Sequence, residues 1–151
     1  MTNKEDNVEK FVKFRIGKQE FCVEMEATRE LRSWAPTTAL PNANEYVIGI
    51  INLRGNILPI INLATRLGLP ASAQSDRHVV IVVQSQDDQF GILVDAVSDI
   101  ISVGPEDIRS VPEVTLGGAE ELFKQVIVQE DSIICQIKLD KLLPQMEECA
   151  A

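Results

Sequence analysis

The sequence predicts a mainly β fold divided into two small barrels. Three observations carry that expectation. Short runs rich in Val and Ile recur between turn signals, the pattern of buried strands. Aromatic residues make up 5% of a chain that is 45% hydrophobic, so the core is built from branched aliphatic side chains. A small, polar stretch, Ala71-Ser72-Ala73-Gln74-Ser75-Asp76, interrupts the strands near mid-chain and reads as a joint. Long sheets close or split, so the joint favours two barrels, with the chain ends free to cross over.

The elements follow in order. Residues 1–8 are polar and are expected as a disordered lead to a single domain over 9–145. Phe11–Ile16 and Phe21–Met25 flank the turn Gly17-Lys18-Gln19-Glu20 and form a first hairpin. Glu26–Ser33 carries Arg29, Glu30 and Arg32 and reads as about two solvated helical turns. Trp34–Asn44 is loop, broken by Pro36 and Pro41. Tyr46–Ile51 and Ile57–Leu63 are two buried strands joined by the polar interruption Asn52-Leu53-Arg54-Gly55-Asn56. Pro59 lacks a backbone donor, which places its strand at an edge or a bulge. Leu63–Leu67 is a short helix ended by Gly68, with Pro70 beyond.

His78–Val83, Phe90–Val94 and Ala96–Val103 are three further strands, the first two joined by the turn Ser85–Asp88. Pro105-Glu106-Asp107 resembles a helix start, with proline first and acids in the first turn. Val111–Leu122 is loop. Val126–Val128 and Ile133–Ile137 make a last hairpin, and Asp140–Glu148 reads as a C-terminal helix.

Charge and cysteine usage narrow the function. A net charge of −9 without a dense Lys/Arg cluster disfavours nucleic-acid binding and purely electrostatic membrane contact. Cys22, Cys135 and Cys149 are odd in number and show no metal or redox spacing, which points to a reducing compartment. No signal-peptide core and no span of bilayer length is visible, so a soluble cytoplasmic protein without membrane insertion is expected.

Catalytic readings find little footing. His78 is the single histidine and has no nearby nucleophile elbow, so a structural or surface role is favoured. Asp95 and Asp99 would stand about 13 Å apart on one strand face, too far for paired acid–base work. A turn-capping or interface role suits Asp95 better. Gly49 and Gly55 are not followed by a phosphate-loop Lys-Ser/Thr, and the carboxylates are scattered, so neither cofactor nor metal is expected. Arg54, beside Gly55, remains. It either pins its loop through carbonyls or a carboxylate such as Glu30, or anchors a partner at a groove rim, and one residue can do both.

Tyr46–Leu63, with its Gly49…Asn52-Leu53-Arg54-Gly55…Pro59 block, resembles the hallmark of the CheW family of chemotaxis coupling proteins. Gly91–Ile100, Ile108–Glu113 and Leu139–Leu143 match further family segments in order, so the similarity runs from about Glu9 to Pro144. The resemblance implies two five-stranded SH3-like β-barrel subdomains sharing a core. It implies an adaptor without catalysis, cytoplasmic at receptor arrays on the inner membrane. Such adaptors couple methyl-accepting chemoreceptor tips to a CheA-type histidine kinase, whose regulatory domain has the same fold and joins them in rings.

Residue by residue, Arg54 and Gly55 match the family's coupling-sensitive Arg-Gly, Asn52 opens the same segment, and Glu30 matches an acid associated with kinase contact. Arg109 matches an arginine near a second ring interface. A groove between the barrels would take the receptor's helical hairpin. Four departures stand out: Thr28 where valine is usual, Asn62 where aspartate is usual, Val114 where an aromatic is common, and no glycine near Gln125. A fragment of a CheV-type coupling protein or of the kinase's regulatory domain, or a small β-barrel ligand-binding protein, are the alternative readings.

Overall fold

Strands that are apolar on successive residues must be buried on both faces, and several strands of this chain meet that condition. The computed structural model describes residues 8–34, 37–39, 41, 45–70, 77–111 and 120–142. Among the described residues there are eleven strands: β1 (Glu9–Ile16), β2 (Gln19–Glu24), β3 (Thr28–Ser33), β4 (Val47–Leu53), β5 (Asn56–Asn62), β6 (Val79–Ser85), β7 (Asp88–Val94), β8 (Ala96–Val103), β9 (Ile108–Arg109), β10 (Phe123–Gln129) and β11 (Ser132–Ile137). One α-helical turn, α1 (Leu63–Arg66), follows β5. It is capped by Asn62 and released at Gly68, whose φ is +76°.

The strands form two sheets. One runs β8-β1-β2-β11-β10-β9 and the other β3-β6-β7-β5-β4. Each contains a single parallel junction, β2 with β11 and β7 with β5, and the other neighbours are antiparallel. The two sheets are therefore copies of one topology, with β9 added to the first.

The second sheet curls until its edges meet. Beyond β3, Trp34 N–H donates to His78 O, and Thr38 exchanges two hydrogen bonds with Ile50 of β4 at 2.8 and 3.0 Å. The barrel interior holds Leu53, Leu58, Ile60, Val80, Val82 and Leu93. The first sheet encloses Phe11, Cys22, Val103, Ile127 and Ile134 in the same way. A third and larger cluster lies between the barrels. Val12, Phe14, Phe21 and Val23 from one sheet meet Ile61, Ile81, Val83, Phe90, Ile92 and Val94 from the other. β1, β2, β6 and β7 thus line a barrel with one face and the shared core with the other.

Arg66 reinforces this joint. Its Nε donates to Leu142 O at 3.1 Å, Nη2 donates to Lys141 O at 2.8 Å, and its guanidinium carbon lies 4.8 Å from the Tyr46 ring centroid. Leu142 is buried in the shared core. Asp95 completes a polar link: its Oδ2 accepts from Gly17 N–H at 2.7 Å, and its Oδ1 lies 3.2 Å from Nε2 of the buried His78.

Several expectations change. Glu26–Ser33 is not helical: a 3-10 turn at Met25–Ala27 leads into β3, which pairs with β6. Its charged residues alternate between faces, and the pairing with a buried strand overrides local propensity. The strand of Pro59 is interior, between β4 and β7. Ile50, opposite Pro59, directs both backbone groups to Thr38, so that pair needs no N–H from proline. The joint expected at 71–77 falls almost wholly on residues 71–76, outside the described residues, and the strands flanking it, β5 and β6, share one sheet. The chain changes sheets at Met25–Ala27 and at Asp95 instead, so β1 and β2 join β8–β11. At the expected C-terminal helix there is a 3-10 turn over Leu139–Lys141, and 143–151 lie outside the described residues.

Gly91 shows how tightly the smaller barrel is filled. A Cβ there would lie 2.6 Å from Ile60 Cδ1 and 2.7 Å from Val80 Cγ1, both inside the barrel. Gly91→Ala is expected to destabilise the fold by roughly 1–3 kcal/mol, read as a lower urea midpoint with an unchanged slope.

Candidate interaction surface

The polar interruption between β4 and β5 is a two-residue turn. Arg54 and Gly55 both take left-handed backbone, with φ of +53° and +87°. That is the pattern of a type I′ hairpin turn, where Asn-Gly is usual and an arginine in first place is strained. Asn52 Oδ1 accepts from Gly55 N–H at 2.9 Å and fixes the turn.

Glu30 reaches this tip from the opposite edge of the sheet. Its Oε2 lies 3.5 Å from Arg54 Nη2, and its Oε1 lies 3.7 Å from Arg32 Nη1. One carboxylate thus faces two guanidinium groups, leaving a local excess of positive charge on an acidic protein. The Arg54 side chain is 77% exposed, so its long ion pair adds little stability and most of its donors face solvent. The arginine is presented rather than buried. A shallow recess beside it is lined by Arg32, Trp34, Thr38, Ile51 and Asn52.

Thr28 lies two residues before Glu30 on β3, and its Oγ1 donates to Glu24 O at 3.1 Å across the 3-10 turn. Arg109 sits on β9 of the other barrel, where Nη1 donates to Glu106 O at 2.6 Å and Ile108 O at 2.9 Å. Val114 lies outside the described residues. The fold therefore brings Glu30 to Arg54 and Asn52 to Gly55, keeps Thr28 on the same strand, and leaves Arg109 on the second barrel. Arg32 is the residue that sequence reading passed over. Its spacing of two from Glu30 would have shared a strand face, but the segment reads as helical.

Between the barrels lies a polar recess, lined by Glu24 and Lys124 on one side and by Gln84, Ser85 and Gln86 on the other, and behind Glu24 a polar network enters the first barrel. Gln136, 1% exposed, accepts from Gln125 Nε2 at 2.7 Å and donates to Glu24 Oε1 at 3.2 Å, and Lys124 Nζ lies 3.6 Å from the same oxygen. Nearby, burial pushes the Cys22 thiol far up, with Cys135 and Glu24 adding to it, and burial also raises Cys135, so both thiols stay protonated and unreactive. Among the described residues no group of three or more His, Cys, Asp or Glu side chains converges to hold a metal, and no helix is long and apolar enough to cross a membrane.

A CheW-like domain model matches residues 10–147. The chain belongs to the CheW family. It is 44% identical over 140 residues to a chemotaxis protein CheW from Rhizobium meliloti, covering 93% of this chain and 90% of that one. Identity to a Bacillus subtilis chemotaxis protein CheW is 29% over 135 residues, covering 89% and 86%. The crystal structure of scaffolding protein TtCheW from Thermoanaerobacter tengcongensis superposes with a TM-score of 0.80 at 29% identity, covering 87% of this chain and 84% of that one. The mainly β fold with SH3-like barrels is thus that of a CheW scaffold.

Two outcomes follow from the geometry. Arg54→Gly relieves the left-handed backbone and should leave stability unchanged or raise it by up to about 1 kcal/mol, measured by thermal unfolding; a large loss would make Arg54 a structural clamp. At the other barrel, hydrogen bonds from Gln129 Nε2 and Gly104 N–H, aided by Arg109, hold the Asp107 carboxyl below its usual range. A depressed folded value adds stability above the unfolded value, about 3.9, that is lost as pH falls through the folded one. Asp107→Asn should therefore flatten the acid limb of the stability curve.

Proposed function

We propose that this chain is a non-enzymatic chemotaxis adaptor that couples methyl-accepting chemoreceptor tips to a CheA-type histidine kinase, on the cytoplasmic face of the inner membrane. The observation that carries the reading is the Arg54 tip. A strained, exposed arginine on a rigid hairpin, with Glu30 and Arg32 behind it, is built for recognition and contributes little to stability. Membership of the CheW family and the likeness to a scaffolding protein support it.

In this reading the kinase meets Asn52, Arg54, Gly55 and Glu30, with Thr28 at the margin. The receptor's helical hairpin lies in the groove between the barrels, near the Glu24–Gln136–Gln125 network. Arg109 and Val114 serve a second contact on the other barrel. The exposed rim suits a modest, exchangeable interface.

Arg54→Ala should weaken binding to the kinase's regulatory domain about tenfold, equal to about 1.4 kcal/mol, while the thermal midpoint stays put. Titration calorimetry against that domain and against a receptor-tip fragment reads both. Unchanged binding to both partners, or binding lost together with the fold, would sink the proposal for this tip.

A further inference from the structure

One polar pair of the first barrel has no counterpart in the second. The correspondence is set by register. Ile60 faces Gly91 across one parallel junction and Gln136 faces Cys22 across the other. Each hairpin carries its register shift at the same place, before Gly49 and before Gln125. Gly49 opposite Ile60 in one barrel is thus matched by Gln125 opposite Gln136 in the other. Glycine and isoleucine side chains need no polar partner. Two facing glutamines do, and Gln136 is 1% exposed.

The pair has a direction. Gln125 Nε2 donates to Gln136 Oε1 at 2.7 Å, and Gln136 Nε2 donates to Glu24 Oε1 at 3.2 Å. Lys124 Nζ lies 3.6 Å from the same Glu24 oxygen. Glu24 and Lys124 are exposed at the recess between the barrels. Gln125 lines a second recess beside β9, with Arg109, Ser110 and Lys124. With Nε2 committed to Gln136, Gln125 keeps its carbonyl oxygen for that recess. A terminal amide has two wells a half-turn apart, of nearly the same shape. Turned over, Gln136 would need a donor in place of the Glu24 acceptor, and Lys124 is the donor at hand. Two arrangements therefore satisfy the buried amide, one anchored on Glu24 and the other on Lys124.

We infer that Gln125 and Gln136 form a reversible relay between the two recesses. A partner's cation that takes Glu24 in the interbarrel recess frees Lys124. Both amides then turn over. Gln136 accepts from Lys124 Nζ and donates to Gln125 Oε1, and Gln125 presents its N–H groups beside Arg109. Two donors there suit a carboxylate, whereas a carbonyl oxygen beside the guanidinium does not. A cation in one recess thus favours a carboxylate in the other, and the effect is reciprocal. Only the source of the cation, a receptor hairpin in the groove between the barrels, rests on the adaptor reading.

NMR scalar couplings across the hydrogen bond, from the amide nitrogen of one glutamine to the carbonyl carbon of the other, read its direction in the full chain. The wild-type chain should couple Gln125 Nε2 to Gln136 Cδ. Glu24→Ala removes the acceptor and should replace that coupling by one from Gln136 Nε2 to Gln125 Cδ. Glu24→Gln keeps an acceptor and Lys124→Ala removes the alternative donor, so both should keep the wild-type direction. Saturating the wild-type chain with a receptor-tip fragment should reverse it. An unreversed coupling in folded Glu24→Ala, reversal in Lys124→Ala, or a fragment that binds the wild-type chain without reversing the coupling would overturn the inference. A fragment that fails to bind, with the coupling reversed in Glu24→Ala, would sink the receptor groove of the adaptor reading and leave the relay standing.

Discussion

The shared apolar layer between the two barrels is the constraint on which the rest depends. β1, β2, β6 and β7 each present one face to a barrel interior and the other to this layer. Neither barrel can shift against the other without exposing Phe14, Phe21, Phe90 and Ile92, which are buried almost completely. Removing such side chains from water is the main favourable contribution available to a small β domain. The polar links at Arg66 and at the His78–Asp95 pair sit at the margins of this layer and fix its register. The candidate surfaces at the barrel ends are therefore held by packing and not by their own weak ion pairs.

Much of the fold was legible because the buried strands are apolar on consecutive residues and their turns are marked. Phe11–Ile16, His78–Val83 and Phe90–Val94 each lie within a strand or next to one. β3 was not legible. Thr28-Arg29-Glu30-Leu31-Arg32-Ser33 carries three charges and a single aliphatic residue, and only its partner β6 makes it a strand. Pro59 misled for a related reason: its tolerance depends on Thr38 taking the backbone groups of Ile50, a contact across a loop.

The site shows the same division. Arg54-Gly55 stands out in sequence as a polar break between apolar runs. Its pairing with Glu30 joins opposite edges of a curled sheet, which no local pattern encodes. Ile57 is hidden differently. It lies in an unbroken aliphatic run whose neighbours Leu58, Ile60 and Ile61 are buried, so its exposure appears only when the barrel closes. Gln136, polar and buried, occupies the place that Ile60 holds in the other barrel. There a hydrogen-bond network replaces an aliphatic contact.

The threading of the chain through the sheets bears on synthesis. Every strand of the five-stranded barrel lies between Thr28 and Val94, an uninterrupted stretch. The other barrel joins β1 and β2 to strands that end at Ile137. On the ribosome the inner unit has all its strands once its last residue emerges. The first hairpin gains β8 soon afterwards but must wait for β11 until Ile137 has emerged. Its apolar faces can meanwhile dock only on the finished unit, which serves as an intramolecular template for the later barrel.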